Sequence, residues 1–410
     1  VPPRKIVELL TGASGQKARA SRRCALYAAS MTETASAYTP NRSPQAGQPL
    51  LDADRSLADP AIAAGLRDLL RQCPRYAPTR LVSLPELAAR LGLGSVQVKD
   101  EGQRLGLRSF KALGGALTVL DAVRDKAEAM TGRPVTLDDL AAPALRKAAA
   151  AMTVACATDG NHGLSVAAGA RIIGCNCVIV VHDAIDPERH GAIAARGAQV
   201  IVHRGSYDGA VDLAATEAAK HGWTLLSDTS WPGYEAAPTR VMQGYGVIAD
   251  EVIEAIDLLP THVFLQAGVG GLAASVGARM KAQWPSLRVV AVEPYEAACL
   301  FESARHGRLT ETPDKGHTVM AMLECNRPSM IAWRVLERIV DGFVLAGDGE
   351  ALAAMRALGR PEGGDPRVVA GETGGAGLAG LMAATADPAI AEALGLGPDA
   401  RVVLVNSEGA

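Results

Sequence analysis

The sequence predicts an α/β fold of two parallel-sheet-containing domains with a ligand cleft between them. Three observations lead there. Apolar strand-like runs alternate with helix-like stretches from about Thr153 to Glu293. The crossovers are long enough for one helix each, which implies parallel strands, right-handed connections and helices on both faces. Glycine-bearing turns stand between a strand and a helix at Gly160–Gly163, Gly268–Gly271 and Gly371–Gly377. Open sheets bind ligands at such places, beyond the strand carboxyl ends.

Each element has its own local reason. Ser83, Pro85 and Glu86 open a helix, with Ser83 as the expected cap. Ser95–Lys99 reads as a strand, Phe110–Lys126 as a helix and Leu137–Met152 as a second, alanine-rich helical stretch. Strands at Thr153–Ala157, Cys175–Val181, Gln199–Val202 and Thr224–Ser227 enclose helices at Gly163–Ile173, Pro187–Arg196 and Tyr207–His221. Gly197 and Gly222 close the last two helices, as expected of left-handed C-terminal positions. Cys175 and Cys177 are expected on one face of their strand. A second block follows: helix Thr239–Ile256, strand His262–Ala267, helix Leu272–Ala282 and strand Arg288–Glu293. Glu302–Thr318 is polar and reads as a loop. Helices then dominate until a final strand at Arg401–Asn406.

Composition narrows the function. The 410 residues suit two to three domains at about 150 residues each. The net charge is −3 and aromatics are 4%, which argues against nucleic-acid binding. No apolar run reaches the roughly 18 residues of a membrane span. Seven cysteines are scattered, an odd number that points to a reducing, cytoplasmic compartment rather than a disulfide scaffold. No metal-ligand spacing is present. Val1–Ser30 carries six basic residues and one acid and reads as a leader, with Met31 as the natural start. Residues 1–50 are expected to be leader and flexible N-terminus, residues 51–125 with 245–410 a large domain, and 126–244 a small α/β domain.

Four segments carry chemistry. Gly268-Val269-Gly270-Gly271 before a helix, with Glu293 ending the next strand, fits a dinucleotide site. It fits a phosphate-bearing cofactor equally, because backbone N–H groups at a helix start bind any phosphate. Lys111 opens a helix between Phe110 and small residues, where burial and the helix dipole are expected to lower its pKa and make it a nucleophile. Thr158-Asp159-Gly160-Asn161-His162-Gly163 places short polar groups at another helix start. Asp228 lies in an acceptor-rich stretch after a strand.

Together these segments resemble the fold-type II pyridoxal-phosphate (PLP) enzymes, the tryptophan synthase β-like group. Ser109-Phe110-Lys111, Gly160-Asn161-His162-Gly163 and Gly268-Val269-Gly270-Gly271 occur in that group's order. Within it the chain is most similar to the diaminopropionate ammonia-lyases. That narrower match rests on Lys99-Asp100-Glu101, Ala157-Thr158-Asp159-Gly160-Asn161-His162-Gly163, Asp228-Thr229, Met242-Gln243-Gly244-Tyr245, Val292-Glu293-Pro294 and Asn406-Ser407-Glu408-Gly409.

The resemblance implies a PLP-dependent lyase that converts 2,3-diaminopropionate to pyruvate and two ammonia. Lys111, Asp159 and Asp228 would be catalytic: Lys111 would carry the cofactor and take the α-proton of the L isomer, and Asp159 that of the D isomer. Phe110, Lys111, Asn161, Gly268, Val269, Gly270, Gly271, Leu272 and Ser407 would bind the cofactor, with Asn161 on its phenolic oxygen and Ser407 at its pyridine nitrogen. Thr158, Asp159, Gly160 and His162 would bind the amino-acid substrate, and no metal is implied. A homodimer is expected, and Cys299 with Cys325 matches a cysteine pair of the family, which leaves a disulfide there open while a reducing compartment disfavours it. The sequence departs from the family at Leu164–Ala168 and Met322–Pro328, so serine or threonine dehydration, or elimination from another β-substituted amino acid, is the alternative within the class. Outside it stand an NAD(P)-dependent oxidoreductase using Gly268–Gly271 and Glu293, and a catalytically silent binding protein.

Overall fold

Eleven strands build two sheets in the computed structural model, which describes residues 37–410 apart from 159, 184 and 186. Residues 1–36 of the expected leader lie outside the described residues. The strands are β1 (Tyr38–Pro40), β2 (Leu81–Ser83), β3 (Ser95–Asp100), β4 (Thr153–Thr158), β5 (Asn176–His182) and β6 (Gln199–His203). They continue with β7 (Thr224–Leu225), β8 (His262–Gln266), β9 (Arg288–Pro294), β10 (Gly342–Ala346) and β11 (Arg401–Asn406).

The larger sheet has the order β1-β10-β9-β8-β11-β3-β2, and the smaller β6-β5-β4-β7. The smaller is parallel throughout. In the larger, β10, β9, β8, β11 and β3 are parallel, while β1 and β2 pair antiparallel at its two edges. Every residue of β8 and β10 is buried, as a strand covered on both faces requires. The register sets Asn406 beside Asp100, and the Asn406 amide donates to Asp100 Oδ1 at 2.8 Å.

Helix Lys111–Thr131 is the mechanical centre. It packs on helix Asn161–Ile173 and on helix Ala236–Ala255. Close approach is specified by glycine: a Cβ on Gly114 would lie 2.6 Å from the Tyr245 ring, and one on Gly244 2.4 Å from the Leu113 carbonyl. Gly132, at φ 67°, ends the helix in the left-handed position.

Several elements differ from the sequence reading, each for a tertiary reason. β1, β2 and β10 lie where no strand is expected; β1 and β2 are three-residue edge pieces, and β10 sits within the stretch read as helical. The second helical stretch is only Pro143–Ala150, because Pro143 belongs in a first turn rather than an interior. Helix Cys299–His306 takes the start of the expected loop. Ser83 does not cap helix Pro85–Arg90; the Asp365 carboxylate, remote in sequence, accepts from the N–H groups of Glu86 and Leu87 at 2.9 Å each. Cys175 precedes β5 rather than sharing its face with Cys177. No described helix is long and apolar enough to cross a membrane.

Candidate active site

One cavity opens where the carboxyl ends of strands from both sheets meet, and the lining includes Lys111, Asn161, Asp228, Gly268–Leu272, Ser407 and Glu408. Three helices begin at its wall, at Lys111, Asn161 and Gly271, and none has a side-chain cap at its N-cap residue. Ser109 Oγ takes the Lys111 N–H at 3.3 Å; the first-turn N–H groups that no side chain takes, with the aligned dipoles, favour anions there.

Lys111 sits in this wall with its ammonium on the Asp228 carboxylate. It also lies 5.2 Å from the Phe110 ring centre and 5.8 Å from that of Tyr245. Burial by itself would lower the amine's pKa, but the Asp228 charge outweighs it and raises the pKa. The expectation of a lowered value is therefore corrected: the decisive neighbour comes from 117 residues away. Asp228 is buried; its desolvation is overcome by Lys111, with the Tyr207 hydroxyl assisting, and its pKa falls below the carboxylate range. The Tyr207 hydroxyl donates to Asp228 Oδ1 at 3.2 Å.

The loop before Lys111 is strained and pinned. Leu105 and Arg108 occupy left-handed φ values of 51° and 62°, which cost an ordinary side chain about 1 kcal/mol or more each. A buried ion cluster holds this loop. Arg104 bonds Glu101 at 2.6 and 2.8 Å and Glu251 at 2.8 and 2.7 Å, and Lys99 donates to Glu251 at 2.5 Å. The sequence reading used Lys99-Asp100-Glu101 only as a mark of resemblance; in the fold it fixes the loop that carries Lys111.

On the side of the smaller sheet, Thr158 Oγ1 accepts from the N–H groups of Gly160 and Gly163 at 2.9 and 3.0 Å. Gly160, at φ 136°, turns the chain into the helix. Asp159 lies outside the described residues. His162 Nε2 donates to the Leu226 carbonyl at 2.7 Å, which assigns that proton to Nε2. Burial lowers its pKa, so the imidazole is neutral with Nδ1 bare, 4.0 Å from Asp228. The Asn161 amide donates to Glu408 Oε2 at 2.5 Å.

The opposite wall is the turn Gly268–Leu272. Gly270 is left-handed at φ 101°. A Cβ on Gly268 would lie 3.0 Å from Cys325 Sγ and 3.3 Å from Leu323 Cα, so the turn admits no side chain there. Cys299 Sγ donates to the Gly268 carbonyl at 3.8 Å. Cys299 and Cys325 are thiols, the state that a reducing compartment favours. Glu293 does not face a ribose site: it is buried and accepts from the N–H groups of Leu300 and Phe301 at 2.9 and 2.6 Å, capping helix Cys299–His306. That removes the acid on which the NAD(P) reading relied.

Tyr207, Gln266 and Glu408 line the cavity as well and were missed. Nothing local marks Tyr207 or Gln266; Glu408 stood inside a motif used only for resemblance. The glycines at 371–375 serve the backbone rather than a ligand. A Cβ on Gly374 would lie 2.3 Å from the Glu408 carbonyl oxygen and 2.4 Å from Asn406 Oδ1.

A lysine amine in one cavity with a glycine-rich turn that leads into a helix without an N-cap side chain fits an aldehyde cofactor bearing a phosphate. The family model "Pyridoxal-phosphate dependent enzyme" matches residues 73–408. Diaminopropionate ammonia-lyase of Escherichia coli (strain K12) is 38% identical over 343 residues, covering 82% of this chain and 85% of its own. The chain belongs to the pyridoxal-phosphate dependent enzymes, in the diaminopropionate ammonia-lyase family. The Salmonella typhimurium member is 36% identical over 83% of this chain and 87% of its own. The solved structure of the E. coli family member in complex with an aminoacrylate-PLP azomethine reaction intermediate superposes with a TM-score of 0.80 at 34% identity, covering 91% of this chain and 93% of that one. Maize serine racemase shares the fold alone, with a TM-score of 0.67 at 18% identity, covering 86% of this chain and 94% of that one.

Proposed function

We propose that this family member is a PLP-dependent carbon–nitrogen lyase that converts 2,3-diaminopropionate to pyruvate and two ammonia. The observation that carries this is the single cavity holding the Lys111 amine, the Asp228 carboxylate and the Gly268–Leu272 turn. The N–H groups of Gly268, Val269, Gly270, Gly271 and Leu272 would hold the cofactor phosphate. Lys111 would bind its aldehyde carbon, Phe110 flank it, Asn161 donate to its phenolic oxygen and Ser407 face its pyridine nitrogen. When bound, PLP supplies the electron sink for charge developing at the substrate Cα.

The chain's own groups move the protons. Once Lys111 is engaged, Asp228 loses its counter-ion and its carboxylate accepts a hydrogen bond from the β-ammonium, keeping that nitrogen protonated so that it leaves with the C–N bonding pair as neutral ammonia. Lys111 takes the α-proton of the L isomer. Asp159 is assigned that of the D isomer by similarity alone. Thr158, Gly160 and neutral His162 shape the substrate side, His162 through its bare Nδ1. The hydroxyl of Ser407 is neutral, so it leaves the ring nitrogen unprotonated and favours prompt elimination.

The departures near the cavity bear on substrate choice. Arg327 pairs with Asp212 at 2.9 Å, and Glu324 accepts from Thr318 N–H at 2.7 Å. Both charges are engaged outside the cavity wall, whereas Met322, Leu323 and Cys325 line it. Neither departure adds a charge to the cavity, which keeps the Asp228 and Glu408 carboxylates for a substrate with two amino groups. It also makes serine the informative competitor. We further propose the division into a large domain (51–125 with 245–410) and a small one (126–244), a homodimer, and a cytoplasmic location, the last supported by the six described cysteines being thiols.

Adding PLP and DL-2,3-diaminopropionate, with L-serine in parallel, tests the reading through product stoichiometry. Two ammonia per pyruvate, at a rate above that with serine, is expected. Pyruvate from serine alone would overturn the substrate assignment in favour of a dehydratase.

A further inference from the structure

We propose that Glu408 is a positioning residue: its carboxylate fixes the Asn161 amide so that one N–H of Nδ2 is spent on Glu408 and the other is presented to the cavity. This rests on the reading of Asn161 as the donor to the cofactor's phenolic oxygen.

Four observations carry it. First, the contact is short and specific, Asn161 Nδ2 to Glu408 Oε2 at 2.5 Å, and both residues line the cavity. Second, an asparagine amide has an oxygen edge and a nitrogen edge of nearly the same shape. Only an acceptor without a proton to give selects the nitrogen edge, and an ionised carboxylate is such an acceptor. The second N–H on the same nitrogen is then the donor left for an oxygen in the cavity. Third, Glu408 is held rigidly. Its carbonyl accepts from Gly371 N–H at 3.0 Å, its neighbours Ser407 and Gly409 bond the backbone of Phe110 and Arg108 at 3.0 and 2.9 Å, and it bridges Ser109. Fourth, the glycine turn is shaped around it, since a Cβ on Gly371 would lie 3.2 Å from Glu408 Oε1. Asn161 belongs to the smaller sheet's helix, while Glu408 follows β11 and is tied to the segment that carries Lys111. The pair therefore sets the donor from one sheet against the amine from the other. Burial, with the Glu372 charge, leaves the Glu408 carboxyl above its ordinary value, although the Arg189 charge and the hydrogen bonds of Asn161 and Thr373 pull it down.

The test is a double-mutant cycle on the whole chain, read by titrating PLP into apoprotein and by the visible spectrum of the loaded protein. The variants are Glu408→Met, Glu408→Gln, Asn161→Ala and Asn161→Ala with Glu408→Met. Glu408→Met should weaken PLP binding about tenfold, the scale of one charge-assisted hydrogen bond, and shift the visible band. Glu408→Gln, which keeps an acceptor, should lose distinctly less. On the Asn161→Ala background the Met substitution should add nothing, as expected of residues acting in series. Full additivity, or Gln losing as much as Met, would overturn the positioning role. If Asn161→Ala alone leaves affinity and spectrum unchanged, the underlying assignment of Asn161 fails, and that result is distinct from additivity.

Discussion

Asp228 decides the chemical state of Lys111. A lysine in a first helical turn, half-buried among Phe110 and Tyr245, would on its own lose basicity. The carboxylate reverses the sign. Asp228→Asn removes that charge and leaves burial and the helix dipole to pull the amine's pKa down. More of the amine is then neutral near pH 7, and covalent capture of PLP needs the neutral form. The midpoint of borohydride-trapped PLP incorporation against pH should therefore move to lower pH. Turnover should fall by about 10²-fold or more, the scale of losing a group that positions a transferred or retained proton. An unmoved midpoint would show that Asp228 does not set the Lys111 charge. The residue scale also shows what local reasoning misses: Asp228 was legible as a polar residue after a strand, but its contact with Lys111 was not.

Among the elements, the loop between β3 and helix Lys111–Thr131 is the clearest case of a segment held against its own preference. Its two left-handed non-glycine residues are held in place by the ion cluster of Lys99, Glu101, Arg104 and Glu251. Burial alone would raise Glu251, but the Arg104 and Lys99 donors hold it down, at about 2. A carboxyl depressed in the folded state contributes stability above its ordinary pKa and loses it as pH falls through the folded value. Glu251→Gln should cost about 3–5 kcal/mol at neutral pH, because buried Lys99 loses its carboxylate and buried Arg104 keeps only Glu101. The gap to the parent in urea unfolding should narrow as pH drops from about 4.5 towards 2; a gap that persists unchanged would contradict this account. The turn at 371–375 makes a second prediction. Gly374→Ala would press a methyl group onto the Glu408 carbonyl and Asn406, so either backbone must shift. A loss of about 1–3 kcal/mol is expected, with weaker PLP binding in titration. Unchanged stability and affinity would mean that the turn is not constrained by this contact. Glycine in this motif was visible in the sequence, but its purpose was not: the same string suits a phosphate loop or a close backbone approach.

For the molecule as a whole, the cavity draws on both sheets, so a ligand bound there stabilises parts of the chain that are distant in sequence. PLP at 100 times its dissociation constant should raise the free energy of unfolding by about 2.7 kcal/mol, read as an upward shift of the thermal midpoint. Lys111→Ala should show a much smaller shift at the same PLP concentration, together with loss of the borohydride-sensitive visible band and of turnover. An equal shift in that variant would place the dominant PLP site elsewhere. The alternation of strands and helices, and the placing of ligand groups at strand carboxyl ends, followed from pattern alone because both are consequences of short-range periodicity and handed connections. What failed was of another kind. β10 is a five-residue apolar run fully buried in its sheet, and periodicity does not separate such a run from a buried helical segment. β1 and β2 are three-residue edge strands that exist only because a neighbour offers unpaired N–H and C=O groups.

By itself, then, the sequence determined what depends on near neighbours. It specified the α/β class, the helix end at Gly222, the turn at Gly268–Gly271 and the lysine at a helix start, since each is a matter of backbone freedom and of spacing along one element. It also carried the family, because unrelated strings recur in one order. Tertiary structure alone decided the charge state of Lys111, the cap that Asp365 gives a distant helix, and the retirement of Glu293 from ligand binding into a helix cap. It decided the pairing of Asn161 with Glu408 as well. Apart from the Glu293 cap, whose partners stand seven and eight residues on, these involve groups tens to hundreds of residues apart, and electrostatic and hydrogen-bond energies depend on distance in space, which the order of residues does not record.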